Sequence, residues 1–162
     1  MSPVLVVSQA IPVFALAPIL TLWLGFGLAP KIAMVVLIVF VPVAQALYDG
    51  LMAPPAAQMD VARVMGAGRW AMLRHLRLPA SLPYLFASLK VAVAAALVGT
   101  IVGELPAGAT QGLGARLLSG SYYGQTIQIW AALFAAAILA AALVWLIGLA
   151  ERITLRRMGL SR

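Results

Sequence analysis

Residues able to carry out acid–base, nucleophilic or metal chemistry are few in this sequence of 162 residues, and they are scattered along it. The acids are Asp49, Asp60, Glu104 and Glu151, His75 is the single histidine, and cysteine is absent. In sequence order these residues form no acid pair, no nucleophile with a base and no metal-ligand cluster, and no glycine-rich phosphate loop accompanies them. We therefore expect a protein that is not an enzyme and that has neither a metal nor a cofactor of its own.

One stretch does concentrate polar chemistry: residues 60–79, "DVARVMGAGRWAMLRHLRLP", hold five of the twelve Arg, Lys and His residues. Its composition favours two short helices, because Ala, Met, Arg and Leu are good helix formers. Gly66 lies between them, where a chain reversal needs a residue without a Cβ atom. Pro79 is expected to end the second helix, and Pro83 to begin the next apolar segment.

The rest of the sequence is too apolar for a soluble protein. Hydrophobic residues make up 64% of the chain and charged residues 9%, whereas soluble domains average about 25% charged residues. Runs of about 20 apolar residues are needed to cross a bilayer as a helix. Four segments qualify, and they predict an all-α membrane protein with about four transmembrane helices, at roughly 4–24, 32–48, 83–102 and 127–150.

The net charge is +7. The positions of the basic residues indicate the orientation of the chain in the membrane and not a nucleic-acid partner. Eight of the eleven Lys and Arg residues lie in two regions that are separated by two crossings, namely between the second and third spans and in the C-terminal tail. The positive-inside rule places both regions in the cytoplasm. We therefore expect residues 49–80 and the C-terminus on the cytoplasmic side of the cell (inner) membrane, and residues 103–126 as an extracytoplasmic loop.

By itself, a basic segment beside a membrane has two simple interpretations. It could be an interfacial amphipathic helix whose arginines meet anionic lipid, or a solvated cytoplasmic loop. The spacing indicates something more specific. Asp60-Val61-Ala62 is followed by three residues and Gly66, and then by nine residues, Leu76, one residue and Leu78-Pro79. This resembles the "EAA" signature of ABC importer permeases of the binding-protein-dependent type, which reads Glu-Ala-Ala, three residues, Gly, nine residues, Ile, one residue, Leu-Pro.

The resemblance extends beyond the signature. The preceding "QAIPVFALAPILTLWLGFGLAPKIAMVVLIVFVPV" and the following "ASLPYLFASLKVAVAAALVGTIVGEL" and "GLGARLL" resemble the nitrate/sulfonate/taurine branch of that family. Asp60 in place of Glu, Val61 in place of Ala and Leu76 in place of Ile are mild departures. Relatives of this kind carry further spans before the point where this chain starts, so we expect a chain that lacks the N-terminal spans.

The resemblance implies a single permease domain over 1–162 with a partial MetI-like permease fold, in which 56–79 is a cytoplasmic coupling-helix pair. It implies a non-catalytic subunit that imports a small organic or anionic solute, such as a sulfonate, nitrate, taurine or a thiamine precursor. The implied partners are a cytoplasmic ABC ATPase subunit that hydrolyses ATP, an extracytoplasmic solute-binding protein, a second permease copy and membrane lipid. The coupling residues carried over are Asp60, Val61, Ala62, Arg63, Gly66, Leu76, Leu78 and Pro79.

Three polar residues near or inside the spans are candidates for the substrate pathway, and each has a structural alternative. Lys90 could pair within the bundle or attract an anionic solute, or it could extend to the cytoplasmic interface. Glu104 could line an extracytoplasmic gate or simply be solvated. Gln45 could face a pathway or form an interhelical hydrogen bond.

Two other classes of function compete with the permease hypothesis. A secondary transporter would need intramembrane carboxylates or an ion site in a broken helix, and the predicted spans hold no acid that we expect to be buried. A membrane scaffold protein would have no need for the bend and the spacing of the signature. Both remain alternatives at the level of the sequence.

Overall fold

The computed structural model describes residues 13–25, 27–104 and 112–159. Within these ranges every regular element is a helix, which confirms the all-α class. A 3-10 turn, Val13–Leu16, leads into the first α-helix, and a π-helical turn, Leu73–Arg77, joins the fourth α-helix to the fifth. The α-helices are α1 (Ala17–Leu24), α2 (Leu28–Met52), α3 (Ala56–Val64), α4 (Arg69–Met72), α5 (Leu78–Glu104), α6 (Leu113–Tyr122) and α7 (Thr126–Arg157).

Among the described residues, three helical stretches are long and apolar enough to cross a membrane: Leu28–Met52, Arg69–Glu104 and Thr126–Arg157. They correspond to the second, third and fourth predicted spans. Residues 4–12 of the first predicted span lie outside the described residues, and the remainder forms only the 3-10 turn and the eight residues of α1. The first span therefore stays a prediction.

Each of the three stretches is longer than the apolar run that predicted it, because polar ends join the helix. α2 continues past Tyr48 through Asp49, whose carboxylate accepts a 2.9 Å hydrogen bond from Gln45 one turn earlier. α7 continues past Ala150 into a last turn that holds Arg156 and Arg157. Cations in that position interact favourably with the negative end of the helix dipole.

The chain forms two compact units, residues 1–41 with 92–144 and residues 42–91 with 145–162. In the first unit, Met34 and the small residues Ala132 and Ala136 are buried. In the second unit, Gly50 of α2 lies against Ser81 of α5, which is 1% exposed. A Cβ atom on Gly50 would come within 2.7 Å of the Ser81 Cα atom, so the close approach of these two helix backbones requires glycine.

The three long stretches expose most of their apolar surface. Only 6%, 11% and 11% of their most apolar windows are buried. Phe40, Val91, Ile138 and Trp145 are among the large side chains left exposed. Contiguous apolar surface of this extent is typical of membrane or protein contact and not of contact with water.

The segment 103–126, predicted as a loop from its glycine and small polar residues, contains the ten-residue helix α6. The expectation of irregular structure was therefore wrong for Leu113–Tyr122, whereas the extracytoplasmic position of the segment stays a prediction. Gly114 and Gly120 of α6 are buried, and a Cβ atom on Gly120 would lie 2.8 Å from Ile129 Cγ1 of α7. Glycine here allows close tertiary packing, which stabilises a helix whose composition alone is unfavourable.

Candidate functional site

The signature residues Asp60, Val61, Ala62 and Arg63 lie in the nine-residue helix α3. Pro55 precedes the helix, and its carbonyl oxygen accepts hydrogen bonds from the amides of two residues in the first turn. The Asp60 carboxylate accepts a 2.7 Å hydrogen bond from the Arg63 guanidinium, and both side chains are more than half exposed. A surface pair at this helical spacing contributes about 0.3–0.5 kcal/mol, so it orients the two side chains more than it stabilises the fold.

Gly66 ends α3 in a complete Schellman motif. The Gly66 amide donates to the Arg63 carbonyl at 2.9 Å, and the Ala67 amide donates to the Ala62 carbonyl at 2.9 Å. These are the two bonds that define the motif, and they satisfy carbonyls at the end of the helix. Gly66 has a φ of +79°, a conformation that residues with a Cβ atom rarely adopt. The bend predicted at this glycine is therefore present, and its cause is the backbone conformation.

The expectation that Pro79 ends the second helix and Pro83 begins the span was wrong. Residues 69–104 form one continuous helical stretch that contains both prolines. Just before Pro79, the Leu78 amide donates to the Leu73 carbonyl five residues back, and this extra residue widens the turn. Proline lacks an amide hydrogen and crowds the preceding turn, so the wider turn lets the helix continue.

An open groove with a volume of about 660 Å³ lies between α3 and the helical stretch that follows the bend. Val61 and Ala62 line it from α3, and Met72, His75 and Leu76 line it from the other side. Most of the lining is apolar, so the groove suits the apolar side chains of a partner better than a charged ligand.

The signature residues differ in how accessible they are. Val61 is exposed, and Val64, one turn away, is 90% exposed, whereas Met59 is buried. Leu76 lines the groove and Leu78 is exposed. The structure therefore brings Val61, Ala62 and Leu76 to one surface and leaves Leu78 and Pro79 at the start of α5.

Lys90 and Glu151 form a salt bridge between α5 and α7 within the second compact unit. Their side chains are 34% and 20% exposed. Gly148 faces the Lys90 stem, with Lys90 Cε 3.8 Å from the position of an added Cβ atom. Pairing inside the bundle, one of the alternatives for Lys90, is therefore what the structure shows.

Glu104 is 7% exposed, so the interpretation of a solvated acid was wrong. One carboxylate oxygen accepts from the Lys31 ammonium at 3.3 Å, and the other accepts from the Gly114 amide at 2.7 Å. Gly114 is in the first turn of α6, where a carboxylate satisfies a free amide and complements the helix dipole. A Cβ atom on Gly112 or Gly114 would overlap the Glu104 side chain. The argument against a secondary transporter assumed that the spans hold no buried acid. That assumption was wrong, because Glu104 is buried at the end of α5.

Each of the three pathway candidates has a different partner. Gln45 bonds to Asp49 on its own helix, Lys90 pairs with Glu151, and Glu104 pairs with Lys31. Among the described residues, no group of three or more His, Cys, Asp and Glu side chains is arranged to hold a metal ion.

Sequence reasoning missed two partners, Lys31 and Glu151. A signal for Lys31 was available: it is the single charge at the start of the second predicted span, and Glu104 is the single charge at the end of the third. Two successive crossings return these ends to the same side of the membrane, and isolated opposite charges at membrane depth usually pair. Glu151 was missed as a partner because the fourth span is predicted to end at Ala150, its last apolar residue, whereas α7 continues to Arg157.

Comparison with known proteins agrees with the resemblance noted in the sequence. Residues 1–160 match the family described as "Binding-protein-dependent transport system inner membrane component". A probable ABC transporter permease protein of Haemophilus influenzae is 45% identical over 131 residues, which are 81% of this chain and 53% of that protein. The riboflavin transport system permease protein RibX of Chloroflexus aurantiacus is 38% identical over 156 residues, 96% of this chain and 58% of that protein.

A third relative, the formylaminopyrimidine transport permease protein ThiX of Halalkalibacterium halodurans, is 41% identical over 112 residues, 69% of this chain and 44% of that protein. The chain thus spans about half the length of these relatives. The family match covers nearly the whole chain, and the three apolar stretches fit a multi-pass membrane protein. The chain belongs to the family of inner-membrane components of binding-protein-dependent transport systems.

Proposed function

We propose that the chain belongs to the permease subunit of an ABC importer for a small organic or anionic solute. The observation that carries this proposal is the helix–turn–helix at residues 56–77, with its Schellman bend at Gly66 and its apolar groove. Family membership supports the same function. ATP hydrolysis then belongs to a separate cytoplasmic subunit.

In this proposal, α3 is the coupling helix, and its exposed face binds a cleft of the ATPase subunit. Val61 and Val64 supply apolar contact, and the Asp60 carboxylate supplies charge. Because α3 is held between α2 and the helical stretch 69–104, closure of the ATPase would move both helices together. Met59, which is buried, would hold α3 against the rest of the second compact unit while the exposed face of α3 contacts the ATPase.

The substrate class is supported by the names of the relatives. RibX is named for riboflavin transport and ThiX for formylaminopyrimidine transport, both of which are small heteroaromatic solutes. The sequence resemblance extends this class to sulfonates, nitrate and taurine. An external solute-binding protein would deliver the solute, and a second permease copy would complete the path. A solute contact at Gln45, Lys90 or Glu104 would have to compete with the partner that each already has.

The ATPase contact can be tested by cysteine cross-linking, because the chain contains no cysteine. Val64→Cys places a thiol on the exposed face of α3, and Tyr122→Cys is a matched control at a site that is 84% exposed. We expect a maleimide photo-crosslinker, attached through the introduced thiol, to join V64C, and not Y122C, to a co-expressed ATPase subunit. Equal cross-linking of both variants, or none from V64C, would contradict the proposal.

The same two variants test the proposed orientation, with the C-terminus in the cytoplasm. A maleimide that does not cross membranes should label Y122C in intact cells, and V64C only after the cells are opened. Labelling of V64C in intact cells would contradict the proposed orientation and would place the coupling segment outside the cytoplasm. Transport itself is tested by solute uptake into vesicles that contain this chain, the ATPase and the binding protein, with and without ATP.

A further inference from the structure

A second cavity, which shares only Met72 with the apolar groove, lies beside the coupling segment, and half of its lining residues are arginines. It has a volume of about 540 Å³, and its lining residues are Met59, Arg63, Arg69, Met72, Leu73 and Arg77. Arg63 comes from the last turn of α3, Arg69 from the first residue of α4, and Arg77 from the end of the π-helical turn. The fold thus brings three arginines, from three elements, to a single concave surface.

The positive charge of this cavity is only partly neutralised. Asp60 pairs with Arg63 at 2.7 Å and is the only acid between residues 50 and 103. Among the residues that the structure describes, Arg69 and Arg77 form no salt bridge. A guanidinium presents a planar fork of donors that matches the oxygens of a phosphate group. The cavity therefore has the chemistry of a site for a phosphate-bearing anion.

The other half of the lining is apolar, which favours an amphiphilic ligand over a free anion. Met59, Met72 and Leu73 contribute hydrocarbon and thioether surface beside the arginines. Arg77 directly precedes α5, a helix of 27 residues that belongs to the 36-residue stretch Arg69–Glu104, which is able to cross a membrane. The cavity therefore lies at the polar end of a candidate span, where lipid headgroups are found.

We propose that the cavity formed by Arg63, Arg69 and Arg77 binds the phosphate headgroup of an anionic phospholipid, with the adjacent methionines and leucine contacting its glycerol and upper acyl region. This goes beyond the transport function, because it makes the position of the coupling segment sensitive to the lipid composition of the membrane. The apolar groove on the other surface of α3 stays free for a protein partner.

The test is native mass spectrometry of the purified full chain titrated with phosphatidylglycerol, and separately with phosphatidylcholine. The variant Arg69→Gln/Arg77→Gln is compared with Arg152→Gln/Arg157→Gln, which removes the same charge from the C-terminal end of α7. A charge-assisted hydrogen bond to the phosphate contributes at least about tenfold to affinity, so losing both arginines should weaken phosphatidylglycerol binding roughly 100-fold. We expect that loss for R69Q/R77Q, little change for R152Q/R157Q, and weak phosphatidylcholine binding throughout.

Further arms separate the competing explanations. R69K/R77K keeps the charge but not the planar fork, so it should retain more affinity than R69Q/R77Q, and thermal unfolding of each variant shows whether it is folded. Equal losses from the two glutamine pairs would overturn the proposal in favour of general charge attraction. Displacement of the lipid by inorganic phosphate at equal concentration would overturn the lipid assignment. Unchanged lipid binding with reduced ATPase association would assign the arginines to a protein contact instead.

Discussion

Replacing Gly66 tests whether the bend of the coupling segment depends on backbone conformation alone. Its φ of +79° lies in the left-handed region, and an added Cβ atom would meet nothing within 4 Å. The cost of a side chain is therefore conformational and not steric, about 1–2 kcal/mol for an L-residue. A β-branched residue falls at the upper end of that range, and about 2 kcal/mol corresponds to a roughly 30-fold shift in a conformational equilibrium.

That cost is small against a total folding stability of about 5–15 kcal/mol. Gly66→Val should therefore insert into the membrane normally while the bent form of the segment is depleted. In vesicles that contain the whole transport complex, we expect solute uptake to fall by at least tenfold, while the ATPase subunit continues to hydrolyse ATP. Uptake and ATP hydrolysis are measured on the same preparation, so that coupling is their ratio.

Two variants make the interpretation specific. Asn tolerates the left-handed region better than other residues with a side chain, so Gly66→Asn should recover most of the uptake. Gly68 has a φ of −70° and equally open surroundings, so Gly68→Ala should behave as wild type. Wild-type uptake in G66V would refute the reasoning. So would an equal defect in G66V and G66N, because the cause would then not be the backbone conformation.

Two further predictions concern how the helices are held. Gly50→Ala should lower the unfolding temperature, because its Cβ atom would come within 2.7 Å of the Ser81 backbone and overpacking costs about 1–3 kcal/mol. Gly148→Ala, whose nearest contact is an ordinary 3.8 Å, should not lower it, and equal effects would contradict the close packing. Glu104→Gln or Lys31→Met alone should destabilise strongly, since breaking a buried pair costs about 3–5 kcal/mol. The double variant should cost less than the two single losses added together, and simple additivity in thermal unfolding would show that the pair does not interact.

The features that the sequence predicted correctly depend on local patterns. Apolar length predicted the three long stretches of described helix, and the interval from Asp60 to Pro79 led to the family. Gly66 was found because only glycine adopts a positive φ cheaply, so its role is visible without any tertiary contact. Each of these inferences uses information carried by neighbouring residues.

The errors have a common physical origin, since each depends on a contact between segments distant in sequence or on a compensating local distortion. α6 was missed because its glycines are unfavourable for a helix until they pack closely against α7 and Glu104. The continuation of the helix through Pro79 required an extra residue in the preceding turn. Glu104 was judged solvated because a lone acid at a helix end reveals neither Lys31 nor the Gly114 amide.

The sequence by itself determined the class, the apolar stretches and the family, since all three follow from composition and from spacing along the chain. Only the tertiary structure decided which charges pair and which stay available. Lys90 and Glu104 are neutralised by Glu151 and Lys31, whereas three arginines converge on one cavity around a single neighbouring acid. Pairing depends on distances of a few ångströms between residues far apart in the chain, and those distances exist only once the helices have packed.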